Sequence, residues 1–345
     1  MAALGRAVGV YAEVMVAVPR SGLPALVAGI PRAARLHIVT GKGGAGKTTT
    51  AAALAIALAR GGQRVLIVEV EGRQALARLF DVPELPYADR HLAAAPGGGE
   101  VVGLSIDPEE AFIDYLELFY NMKRSARIMQ RMGAVDFVTT LAPGLRDVLL
   151  TGKVKERVTL NEQGRSAYDC VVLDAPPTGR IRQFLDATRE VANLARFGPI
   201  NRQSQGVVEL LHSERTVVHL VTLLEEMPVQ ETVDAAHELT EGGFGLGAIV
   251  VNRARPHYVR PGQLADGRLS RAVLRRGLKL AGVDVDLTDE LAQQMIEYEA
   301  RQDVQRANAD RLDAVAVPRI ELPELAPPVG VGELSELSDY FVIDE

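Results

Sequence analysis

The run Gly41-Lys42-Gly43-Gly44-Ala45-Gly46-Lys47-Thr48 constrains this chain more than any other stretch. It fits G-x-x-x-x-G-K-[ST]. Before it stands an apolar, β-branched segment, Leu36-His37-Ile38-Val39-Thr40; after it an Ala/Leu-rich segment runs from Thr48 to Arg60 and stops at Gly61-Gly62. That context predicts a buried strand, a phosphate-binding loop and a helix, in this order. Glycines let successive backbone N–H groups turn inward, and the helix N-terminus adds its partial positive charge. Gly41 through Thr48, with Thr49, are therefore the expected cradle of a nucleoside triphosphate tail. Lys47 would reach the β and γ phosphates, and the Thr48 hydroxyl would ligate Mg²⁺.

Further along, Val65 to Val70 reads as a second strand, and the helix between is long enough for the right-handed crossover that parallel strands require. Val101 to Ile106 follows a Gly97-Gly98-Gly99 turn. A helical block extends from Pro108 to about Val158, broken near Gly133 and Pro143-Gly144. Tyr168 to Asp174, Thr216 to Thr222, Gly247 to Asn252 and Val315 to Leu322 supply four more buried-strand patterns. A long helix is expected from about Asp289 to Asp313, with Thr288 as its N-cap. Strands alternating with helices imply an α/β fold: a doubly wound, mostly parallel sheet with helices on both faces. The expected organisation is a loosely ordered leader over 1–35, a P-loop NTPase domain over 36–325, and a C-terminal tail over 326–345. A helical subdomain would occupy about 108–160 and 180–215 within that domain.

Composition narrows the function classes. A net charge of -7 argues against a protein that coats nucleic acid by neutralising phosphates. A single cysteine, Cys170, excludes an intramolecular disulfide framework and a four-cysteine zinc site, and fits a cytoplasmic protein. In the first 35 residues Glu13 and Pro19-Arg20 interrupt the apolar run, so neither a secretory signal nor a membrane span is expected.

Asp174 ends the apolar strand Cys170-Val171-Val172-Leu173, where an open parallel sheet places its ligands. A carboxylate there can hold Mg²⁺ through water. Lysine is scarce, six of 38 basic residues, yet two lysines lie within the glycine-rich run. The second, Lys42, makes the loop resemble that of the MinD-type ATPases. In that group this lysine crosses a dimer interface to the partner's nucleotide; alternatively Lys42 adds positive potential near phosphate in its own chain.

Other segments resemble the arsenite-pump and guided-entry tail-anchored-protein-targeting ATPases. Asp174-Ala175-Pro176-Pro177-Thr178-Gly179-Arg180 is similar to that family's D-T-A-P-T-G-H switch segment, with Ala175, Pro176 and Arg180 departing from it. Arg180 either donates to phosphate or lies on the following helix. Val68-Glu69-Val70-Glu71-Gly72-Arg73 stands where the family has D-P-A-H, which places Glu71 at the aspartate that orients the attacking water. Asn252, in Val250-Val251-Asn252-Arg253, matches the residue that hydrogen-bonds the adenine edge. Pro323, closing Ile320-Glu321-Leu322-Pro323, resembles the loop flanking the base. Ser105-Ile106-Asp107-Pro108 resembles an I-D-P motif, with Asp107 also a plain helix cap, and Pro143-Gly144-Leu145-Arg146-Asp147 is similar to P-G-x-x-E.

The resemblance implies a Mg²⁺-dependent ATP-hydrolysing dimer that binds and releases a client. Lys42, Lys47, Glu71 and Asp174 would be its catalytic residues, and Thr48 and Asp174 its metal ligands. The partner would be an identical chain or a related ATPase subunit, and the client is unidentified, of a membrane-protein-related kind. Arsenite transport is disfavoured by the single cysteine, and Arg253 to Gln263 lacks the CxxC of the eukaryotic targeting factors. The alternatives are a nucleotide-dependent binding protein with little turnover and a MinD-type positioning ATPase. Met122, Met129 and Met132, with Phe112, Leu116 and Phe119, form either a client-binding side or an ordinary core face. Arg268, Arg271, Arg275, Arg276 and Lys279 form a basic helix, either solvated or facing an acidic partner.

Overall fold

The computed structural model describes residues 29–120, 143–162, 165–194, 199–256, 264, 267 and 269–344. In chain order, β1 (Ile30–Pro31) and β2 (Leu36–Gly41) precede α1 (Lys47–Ala59), β3 (Arg64–Glu69) and the short α2 (Ala75–Leu79). Then come β4 (Arg90–Ala95), β5 (Gly99–Ser105), α3 (Pro108–Tyr120), α4 (Pro143–Thr159), and a minor hairpin of β6 (Asn161–Glu162) and β7 (Arg165–Ser166). The second half holds β8 (Cys170–Asp174), α5 (Thr178–Leu194), α6 (Pro199–Leu211), β9 (Thr216–Thr222), α7 (Glu226–Glu241) and β10 (Leu246–Ala254). It closes with α8 (Arg271–Leu280), α9 (Thr288–Leu312), β11 (Arg319–Pro323), α10 (Val331–Ser338) and β12 (Ile343–Asp344).

Eight strands form one sheet in the order β11-β10-β9-β2-β8-β3-β5-β4. Every adjacent pair is parallel except β4 with β5. This is the expected doubly wound, mostly parallel α/β sheet, with one antiparallel edge strand. Alternation along each strand divides the core between the two faces. Leu36, Ile38, Leu66, Val68, Val171 and Leu173 point to one side, which α4, α5, α6 and α7 cover. Val39, Val65, Ile67 and Val172 point to the other, which α1 and α10 cover. Helix α1 is buried over nearly its whole length, because alanines let it lie close between the sheet and α10. Helices α3 to α6 pack on one another in the two stretches expected to be helical.

Several expectations shift at their edges. Residues 29–35, assigned to the leader, belong to the fold. Ile30 is buried, β1 pairs in parallel with β12, and the Gly29 N–H donates to Asp344 Oδ1 at 2.9 Å. The tail likewise docks: Leu334, Leu337 and Phe341 join the α1-side core. The last sheet strand starts at Arg319 instead of Val315, after Pro318, which has no N–H to donate to a ladder. Thr288 does not cap α9; it is the helix's first residue, and its hydroxyl donates back to Val285 O at 2.5 Å. Asp107 does cap α3, accepting from the N–H groups of Glu109 and Glu110 at 2.9 and 3.0 Å. Met122, Met129, Met132 and Arg268 lie outside the described residues, while Phe112 packs against the core. Arg271 of the basic helix α8 pairs with Asp289 at 2.9 Å. Among the described residues no helix is long and apolar enough to cross a membrane.

Between β2 and β9, His37 Nδ1 and His219 Nε2 lie 3.1 Å apart, both fully buried with rings stacked. Burial lowers the pKa of His37 from 6.5 to about 4 and drives that of His219 well below its ordinary value. The unfolded chain therefore binds protons that the folded chain refuses, and stability falls as pH drops from 6.5 toward 4. For His37 the slope approaches about 1.4 kcal/mol per pH unit within that window, and His219 adds to it in the same direction. Burial of Asp174 acts with the opposite sign, so the effect is read as a difference between proteins. Urea unfolding of His219→Gln, compared with wild type between pH 7 and 5, should show a shallower loss of stability with acid; equal slopes would contradict it.

Candidate nucleotide-binding site

The carboxyl ends of the parallel strands meet at one edge of the sheet, and the glycine-rich loop leaves from the centre of it. Two glycines there have stated reasons. Gly41 pairs with Val221, and a Cβ on it would lie 2.2 Å from the Val221 carbonyl oxygen. Gly46 has φ +92°, and its Cβ would lie 2.1 Å from Asn252 Nδ2. Helix α1 then begins at Lys47 with no side-chain cap and no acidic residue in its first turn. Its first N–H groups and partial positive charge are left to an external anion. Gly43 and Gly44 are exposed at the tip, and Thr49 is half-buried.

The Thr48 hydroxyl donates to Asp174 Oδ2 at 2.7 Å. β8 brings the aspartate there, since it lies between β2 and β3 with Asp174 in register with Val39 and Glu69. Asp174 is 8% exposed, and its Oδ1 is buried with no hydrogen-bond partner among the described residues. Burial raises its pKa to about 7 against the Thr48 bond and Lys47, while Glu69 and Glu71 push the same way as burial. Burial lowers the pKa of Lys47, which Asp174 and then Glu71 counteract. A hydroxyl and an adjacent carboxylate with a free, buried oxygen form an all-oxygen donor set that fits Mg²⁺.

Glu71 follows the end of β3, close enough to Lys47 to affect its charge, with Arg73 Nη2 3.5 Å from its carboxylate. Its neighbour Glu69 does different work. Buried at 2% exposure, it accepts from the N–H groups of Ala75 and Leu76 at 3.3 and 3.4 Å, at the start of α2. Beside Glu71 a cavity of about 320 Å³ opens between the ends of β3 and β5, lined in part by Val70, Gly72, Asp107 and Arg146.

The other expected residues are distributed as follows. Asn252 sits at the base of the loop: its Nδ2 donates to Ala45 O at 2.8 Å, and its Oδ1 accepts from the Arg253 N–H at 2.9 Å. Pro323 ends β11 in register with Ala254, two residues beyond Asn252. Lys42 is ion-paired with Glu231 of α7. Arg180 lies in the first turn of α5, 3.8 Å from Asp147 on α4, so the helix alternative describes its position. Burial raises the pKa of Asp147, against Arg180 and Arg146. Sequence reasoning missed Thr40, whose hydroxyl donates to Pro176 O at 2.6 Å and fastens the proline-rich segment to β2. It also missed Glu231, a helix glutamate with no motif around it.

The fold and this loop define a P-loop nucleoside-triphosphate-binding protein. The chain belongs to the anion-transporting ATPase family, whose profile matches residues 34–213. It is 50% identical over 325 residues to ATPase BagA of Mycobacterium tuberculosis, covering 92% of this chain and 94% of the relative. It is 28% identical over 244 residues to an arsenical pump-driving ATPase of Acidiphilium multivorum, covering 63% of this chain and 39% of that protein. It is 28% identical over 179 residues to the ATPase get3 of Schizosaccharomyces japonicus, covering 49% of this chain and 51% of the relative.

Removing the Asn252 amide strands the buried Ala45 carbonyl, a loss of about 1–3 kcal/mol. Asn252→Ala should lower the thermal midpoint by about 1.5–4 °C. Asn252→Asp, which sets a carboxylate against that carbonyl, should cost at least as much. Scanning calorimetry of the three proteins decides it, and an unchanged midpoint in both variants would refute the clamp.

Proposed function

We propose that this chain is a Mg²⁺-dependent ATP-hydrolysing switch that works as a dimer and couples nucleotide turnover to handling a protein client. The observation that carries the reading is the 2.7 Å contact between Thr48 and Asp174 at the mouth of an uncapped helix N-terminus. Thr48 and Asp174 would hold Mg²⁺, which when bound neutralises charge on the phosphate oxygens. Lys47, the loop N–H groups and the start of α1 bind and orient the triphosphate. Glu71 accepts a hydrogen bond from the attacking water and sets its line of approach. Asn252 holds the loop from beneath, and Pro323, ending the neighbouring strand, would flank the base. The segment 174–178 is fastened to β2 through Thr40 and leads into α5, so a shift there reaches the helices.

The resemblance to the targeting ATPases supports a client of the membrane-protein-related kind, a cytoplasmic site of action, and a partner that is an identical or related subunit. Arsenite is not the client we propose. Cys170 is buried in β8, where burial pushes its thiol up to about 12, which disfavours the thiolate that a metalloid needs. A second reading, nucleotide-gated binding with little turnover, draws on Arg73, which lies 3.5 Å from Glu71 and competes for the same lone pairs.

Steady-state phosphate release separates the two readings. Wild type should exceed Lys47→Ala, and equal background rates would leave only the binding reading. Glu71→Gln should lower kcat by about 10²-fold or more while leaving the affinity for a fluorescent ATP analogue within about twofold. Unchanged turnover in Glu71→Gln would remove the water-orienting role from this residue.

A further inference from the structure

Lys42 carries the one charged side chain in the glycine-rich loop besides Lys47, and its ammonium is held by the chain's own Glu231. The pair is partly open to water, with the two side chains 33% and 37% exposed, so it is weak and exchangeable. The two partners differ in rigidity. Glu231 stands on α7, whose Val229, Thr232, Ala235 and Ala236 are buried. That helix is further tied to α9 by Arg311 with Gln230, and the segment just before it by Asn308 Nδ2 donating to Leu224 O at 3.4 Å. Lys42 stands at the start of an exposed loop tip. The second oxygen of the same carboxylate, Glu231 Oε2, lies 3.5 Å from Thr178 Oγ1, at the first residue of α5 and directly after the 174–177 segment. One carboxylate therefore bridges the loop lysine and the element that follows Asp174.

We infer that Glu231 is a positioning residue for Lys42: it competes within the chain with the polyphosphate of a nucleotide for the Lys42 ammonium. A triphosphate concentrates several negative charges where Glu231 offers one, so it wins Lys42 when it enters the cradle, and it needs only a small advantage to do so. Release of Lys42 leaves Thr178, whose hydroxyl already faces Oε2, as the remaining partner of the Glu231 carboxylate, which links the availability of this lysine to the segment leading into α5. The inference rests on the nucleotide-binding reading given above, whichever chain supplies the triphosphate that Lys42 meets.

The small number of lysines makes the pair directly observable. Reductive ¹³C-methylation keeps the lysine charge and yields at most six lysine side-chain signals, for Lys42, Lys47, Lys123, Lys153, Lys155 and Lys279. The Lys42 signal is the one lost in Lys42→Arg. Without nucleotide, Glu231→Gln should shift this signal while leaving that of Lys153, which pairs with Asp114 at 2.8 Å, in place. Adding Mg-ATP to wild type should move the Lys42 signal, and in Glu231→Gln the midpoint of that titration should fall about two- to fivefold. A Lys42 signal indifferent to Glu231→Gln overturns the inference, as does one that ignores Mg-ATP although a fluorescent ATP analogue binds. No binding of that analogue by wild type overturns the nucleotide-binding reading and this inference together. An unshifted thermal midpoint in Glu231→Gln shows that the variant is folded.

Discussion

The hydrogen bond from the Thr48 hydroxyl to Asp174 depends on how the sheet is threaded. β8 comes late in the chain, after the helices α3 and α4, and yet it inserts between β2 and β3. That insertion sets Asp174 beside Val39 on one side and Glu69 on the other, at the edge from which the loop departs. From β2 the chain first builds outward through β3, β5 and β4, then returns and builds the other way through β9, β10 and β11. The loop therefore lies where the direction of winding reverses, and loops from both halves open around it.

Charge at this edge is held at a cost. Asp174 is buried with its pKa raised, Lys47 is half-buried with its pKa lowered, and Glu69 and Glu71 both press on Asp174. Such an arrangement adds nothing to folding that an apolar cluster would not supply. A divalent cation and a polyphosphate would satisfy it, since each brings the charge that the protein groups lack. Glu69 shows how the neighbouring residues stay compatible with the core: its carboxylate is used up on the first N–H groups of α2. Glu71, two residues on, remains at the surface of the site.

The loop, Asp174 and the parallel strands were legible in the sequence because each is a local pattern: glycines at fixed spacing, or an apolar run ending in a carboxylate. What escaped was set by distant partners. β4 contains Arg90, His91 and three alanines and lacks the β-branched run that marked the others, so only its pairing with β5 makes it a strand. β1 and β12 are two residues each and exist through one another. Glu231 reads as an ordinary helix glutamate until α7 is placed beside the loop. The side-chain contacts of Asn252 could not be read from its place at a strand end, because Ala45 meets it only through the ordering of β2, β9 and β10.

The contact between Gly46 and Asn252 binds the history of two remote parts of the chain. Any side chain at 46 would occupy the space of the amide at 252, and the left-handed backbone at 46 already disfavours one. A smaller residue at 252 would make room, but it would abandon the carbonyl of Ala45. Neither position is free to drift while the other stays as it is, so a lineage that altered one would have to rebuild the turn between β2 and α1 at the same time.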